Sequence, residues 1–112
     1  SDGDAACLAA MLRGCEDEAP TVRELALPLA ATRAAPGHEQ LRRLAVSALD
    51  DTSSSVRKSA CEALRQVCVR GDKDCALALM KIVKNEEEDL SVRIVADAAG
   101  SEIMDGPATL PK

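Results

Sequence analysis

Val-Arg recurs in one frame three times along the chain, as Val22-Arg23, Val56-Arg57 and Val92-Arg93, at separations of 34 and 36 residues. A period of this size is the mark of stacked helical or helix-strand units, each unable to bury its apolar face without a neighbour. The agreement extends beyond the dipeptide. A shift of 34 carries Asp17 onto Asp51, Ala26 onto Ala60, Leu44-Ala45 onto Ala78-Leu79 and Leu49 onto Val83; a further 36 carries Ala60 onto Ala96.

Each period holds two helical patterns. Val56, Ala60, Ala63, Leu64, Val67 and Cys68 fall on one face of a helix. Ser53 or Ser54 is placed to cap its start, and Gly71 stands just past its end. Leu41, Leu44, Ala45, Ala48 and Leu49 trace a second stripe, and Cys75, Leu79, Ile82 and Val83 repeat it. The spacing predicts six helices, over residues 3–14, 19–34, 38–49, 53–69, 73–85 and 89–104. Pro28 removes a backbone donor inside the second of these, so a kink is expected there. A loose tail is expected at 105–112.

Composition supports helices over sheet. The 112 residues contain no Phe, Tyr or Trp, so the core must be built from Leu, Val, Ala, Ile, Met and Cys. Those small side chains suit closely packed helices, whereas sandwiches and barrels draw on aromatic and β-branched residues. A net charge of −5 without aromatic platforms argues against nucleic-acid binding. No apolar run approaches the ~18 residues of a membrane span, so no membrane partner is expected.

The frame Asp-x-x-Pro-x-Val-Arg-x-x-Ala-x-x-Ala-Leu, met in Asp17, Pro20, Val22, Arg23 and Ala26 and again in Asp51, Val56, Arg57, Ala60, Ala63 and Leu64, resembles the HEAT repeat. The likeness is to its compact form, the PBS-lyase HEAT-like repeat. It implies an all-α fold: a short right-handed α-solenoid of about three stacked antiparallel helix pairs. The domain would cover 1–104, with repeats near 17–50, 51–85 and 86–104 after a partial repeat at 3–15. It further implies a hydrogen-bonded ladder of Arg23, Arg57 and Arg93 with Asp17, Asp51 and Asp89. The second helix of each repeat would line the concave face, here the helices near 3–14, 38–49 and 73–85. That face carries Arg13, Arg42, Arg43, Lys81 and Lys84, which are the expected protein-binding residues.

Sites of chemistry are sparse. Cys7, Cys15, Cys61, Cys68 and Cys75 are odd in number and lack CxxC spacing, which points to reduced thiols in a cytoplasmic setting. Cys7, Leu41 and Cys75 are equivalent under the shift, as are Cys15, Leu49 and Val83, so these thiols are read as core; Cys61 is the least securely placed inside. The single histidine, His38, precedes Glu39 at a helix start, where one His-Glu pair falls short of the ligand sets iron and zinc need. No catalytic residue, cofactor site or metal-ligand set is expected. The function expected is a non-catalytic protein-interaction scaffold, with self-association through the solenoid ends as one mode. The alternative implied by the PBS-lyase likeness is bilin attachment to phycobiliproteins, or an accessory role in it.

Overall fold

The computed structural model describes residues 2–105, and the tail expected at 105–112 lies, from residue 106 on, outside the described residues. Six helices are present among these: α1 (Asp2–Gly14), α2 (Pro20–Arg33), α3 (Glu39–Ala48), α4 (Ser54–Val67), α5 (Lys73–Lys84) and α6 (Leu90–Asp105). Each coincides with a predicted helix.

The boundaries follow from local chemistry. At α4, Ser53 Oγ accepts the Val56 N–H at 3.4 Å. At α5, Asp72 accepts the Cys75 N–H at 3.2 Å. His38 Nδ1 does the same for the Leu41 N–H at 3.2 Å, so the lone histidine serves as the cap of α3. Pro20 opens α2, where its missing N–H has no intrahelical partner to lose. The helix continues through Pro28, whose ring leaves the Glu24 carbonyl without its intrahelical donor. Beyond α2 and α4 the chain turns at Gly37 and Gly71, with φ of 77° and 86°. The Gly37 N–H donates to the Val67 carbonyl, and the Gly71 N–H to the Ile103 carbonyl, both at 2.6 Å. These two bonds are equivalent under the repeat, and each ties a turn to the end of the next long helix.

Two layers result. Helices α2, α4 and α6 stack side by side, and α1, α3 and α5 each pack mainly on the helix that follows. The packed unit is therefore α1–α2, α3–α4 or α5–α6, offset by one helix from repeats that begin at 17, 51 and 86. The extents, 40 × 37 × 18 Å, are those of a slab two helices thick. Leu27, Leu41, Val56, Leu64, Val67, Leu79 and Val92 are among the largest side chains fully removed from solvent. Cys61, the thiol least securely placed by the sequence, joins them at 0% exposure, while Cys7, read as core, and Cys68 are only half-buried. Cys61 lies on the flank of α4 that receives α6, and the stripe facing the shorter helices alone does not reveal that burial.

Candidate functional site

The Val-Arg frame has its explanation at the junctions between units. Arg23 Nε and Nη2 donate to the two carboxylate oxygens of Asp51 at 2.8 and 3.0 Å. Its Nη1 donates to the carbonyls of Asp17 and Glu18 at 2.8 and 3.0 Å. Arg57 repeats the pattern one unit on: Nε and Nη2 grip Glu88 at 2.6 and 2.8 Å, and Nη1 donates to the Asp51 carbonyl at 2.6 Å. A bidentate, charge-assisted pair thus crosses each junction.

The partners differ from those expected. Arg23 and Arg57 each reach forward to the acid of the next unit; the acid before its own helix offers only a backbone carbonyl. Asp17 consequently takes no arginine on its carboxylate, which accepts the Ala19 N–H at 2.9 Å. The third acid is Glu88, not Asp89, because the longer turn before α6 aims Glu88 at Arg57 and lets its Oε1 accept the Asp89 N–H at 2.9 Å. Arg93 donates from Nε to the Val83 carbonyl at 3.0 Å and meets no carboxylate among the described residues.

Hydrogen bonding from Arg23 holds the Asp51 carboxyl below its ordinary value against the opposing effect of burial, with help from the Ser53 N–H. Arg57 and the Asp89 N–H do the same for Glu88. Both folded-state pKa values lie below the unfolded ones, so the ladder contributes its full stability above the ordinary carboxylate range of about 4 and loses it as pH falls through the depressed values. Thermal unfolding followed by circular dichroism should therefore give a nearly flat midpoint from neutrality to about pH 5, then a steep fall below about pH 4. A midpoint that holds into stronger acid would contradict the linkage.

A second inter-unit pair lies in the other layer. Arg42 Nε and Nη2 bind Asp72 at 2.6 and 3.1 Å, and Asp74 lies 3.5 Å away. Arg42 is thus a structural partner with 21% side-chain exposure, and it leaves the set of free binding residues. Arg13, Arg43, Lys81 and Lys84 remain exposed. Arg43 is joined to Glu39 one turn away at 2.9 Å, and Lys81 borders a cleft shared with Asp50, Asp51, Glu87 and Glu88.

The two ends of the long-helix stack are unlike. On α2, Val22, Leu25 and Leu29 are 39, 70 and 48% exposed. Their equivalents on α4 are Val56, Ser59 and Ala63, all buried against α2; on α6 they are Val92, Val95 and Ala99, packed against α4. Repeat one therefore shows solvent an apolar stripe that repeats two and three cover. On the opposite flank, Leu27 and Cys61 are both fully buried, yet the equivalent position on α6 is Asp97, which is exposed.

A third feature went unseen in the sequence. The turn at Gly71 brings Cys68 Sγ, a carboxylate oxygen of Asp72 and Cys75 Sγ within 4.8 Å of one another. Hydrogen bonding with Cys75, then burial, pushes the Cys68 thiol up. Burial alone is the main cause at Cys15 and Cys61, which are raised to about 11 and about 12 and stay protonated. The available signal was two cysteines seven positions apart across a glycine turn, with a helix-capping aspartate between them.

Residues 41–69 match the family model of the HEAT repeat. The match begins on α3 and ends just past α4, which is the unit that the packing also delineates. In that phasing the second helix of the matched unit, α4, is the one bearing Val-Arg. No curated protein and no solved structure matches the chain. Among the described residues, no helix is long and apolar enough to cross a membrane.

Proposed function

We propose that this HEAT-repeat chain is a protein-interaction module with no chemistry of its own, and that the exposed stripe of α2 is its docking surface. One observation carries the reading: Val22, Leu25 and Leu29 are open at positions that the rest of the stack uses to receive a helix. A second copy of the chain is the occupant the pattern favours. Antiparallel pairing about a two-fold axis between Leu25 and Ala26 sets Val22 against Leu29 of the other copy. It also brings the exposed Glu18 turn over the exposed Arg33 of that copy, so the face is self-complementary in charge. Two 14-residue helices bury less than the roughly 1,200 Å² of a standard interface, so the pairing is weak and concentration-dependent.

Light scattering after size exclusion tests this. The mass should climb from one chain toward two as concentration rises. A Leu25→Glu/Leu29→Glu variant should remain at one chain with an unchanged melting temperature. Glu18→Arg and Arg33→Glu should each weaken pairing, and together restore it. A single-chain mass at every concentration removes the second copy as occupant.

The exposed Arg13, Arg43, Lys81 and Lys84 support a lesser, acidic-partner reading of the short-helix layer. Bilin attachment has less support, since the chain lacks aromatic residues and its one histidine caps α3. The unpaired thiols favour a reducing, cytoplasmic compartment.

A further inference from the structure

The turn between α4 and α5 gathers more chemistry than packing requires. Its equivalent 34 residues earlier, between α2 and α3, holds Ala34, His38 and Leu41 where this one holds Cys68, Asp72 and Cys75. Both turns close with the same glycine hydrogen bond, so the stack forms without thiols at these positions. Here two sulfurs and a carboxylate oxygen lie within 4.8 Å of one another. A tetrahedral zinc ion, with Zn–S near 2.3 Å, would hold its sulfur ligands roughly 3.8 Å apart, so rotation of side chains by about 1 Å completes the set.

The surroundings suit a cation. Asp72 Oδ2 accepts Arg42 Nε at 2.6 Å, Oδ1 accepts Arg42 Nη2 and the Cys75 N–H, and the Cys75 thiol also bonds to this carboxylate, a contact that a bound cation would replace. Arg42 would then orient the carboxylate from the outer shell, as hydrogen-bonded partners of metal ligands do. Two thiolates, the Asp72 carboxylate and the Arg42 guanidinium sum to −2, which one divalent ion neutralises. Thiolate ligands favour zinc-like ions over magnesium or calcium. Cys75 is fully buried, but Cys68 is half-buried and opens on a cleft of about 240 Å³ lined also by Arg65, Arg70, Glu102 and Ile103. That cleft gives a route from solvent to Cys68.

We propose that Cys68, Asp72 and Cys75 bind a thiophilic divalent cation of the zinc class, which clamps the end of α4 to the start of α5. The site is independent of the α2 docking face.

Cobalt(II) is the probe, added to the full chain kept reduced with a phosphine. Thiolate-to-cobalt absorption should saturate at one ion per chain and disappear when zinc is added. Cys68→Ala, which installs the residue that repeat one carries, should fold normally and bind about tenfold more weakly or worse. Cys61→Ala should bind like the parent. Absence of thiolate absorption, or equal absorption in the Cys68→Ala chain, overturns the assignment.

Discussion

Arg57→Ala is expected to cost roughly 3 kcal/mol and to lower the melting temperature by roughly 15 °C. The effect is large because of what the substitution leaves behind. Glu88 retains only 3% side-chain exposure, and without the guanidinium its charge is stranded in the junction. The Asp51 carbonyl also loses its donor. Adding Glu88→Gln to the variant should recover about half of the loss, since the amide removes the stranded charge. The contrast is Arg65→Ala. Arg65 and Glu102 meet at 3.2 Å with 44% exposure on each side, so that change should cost less than about 1 kcal/mol. Urea unfolding of the four proteins measures all of this. Equal losses for Arg57→Ala and Arg65→Ala would mean that the ladder is no more than surface charge.

Leu79→Ala should cost about 3 kcal/mol or more. Leu79 is fully buried, and across from it on α6 stands Gly100, whose Cβ, were there one, would lie 3.8 Å from the Leu79 Cβ. A glycine offers no side chain to relax into the void, so the cavity persists and the cost is at the upper part of the usual range. Gly100→Ala is the complementary change. Its methyl would sit at ordinary contact distance, and alanine in a helix interior is favoured over glycine by up to about 1 kcal/mol. It should stabilise the parent, and should offset more than that in the Leu79→Ala background, where it also fills space. Strict additivity of the two changes would show that the sites do not share a cavity.

Period and polarity make the architecture legible in the sequence itself. Alternating stripes placed six helices, Ser53 or Ser54 marked the start of α4, and Gly71 marked the turn beyond its end. Pairing across junctions was harder to read. An arginine can reach an acid on either side of its own helix, and the choice of Asp51 over Asp17 depends on how far one unit is displaced along the next. In the run Glu86-Glu87-Glu88-Asp89, four carboxylates compete, and turn geometry alone selects Glu88. Arg42 read as a surface residue because its partner lies 30 positions away, in a turn whose aspartate already had a role as a cap. The phasing of the units was likewise hidden. Sequence periodicity defines the length of a repeat and is silent on where it begins; only the packing of α3 on α4 sets the origin.

Asp97 bears on what kind of assembly this chain can enter. Were the α2 stripe of one copy to dock on α6 of another, each added copy would present a fresh α2, and the product would be an open filament. That contact would place an unpaired carboxylate where Leu27 and Cys61 are sealed from water, at a cost of several kcal/mol per joint. Two α2 faces meeting each other consume both and leave nothing to extend. In pairing of the proposed kind, a single aspartate on α6 would therefore favour closed pairs over fibres.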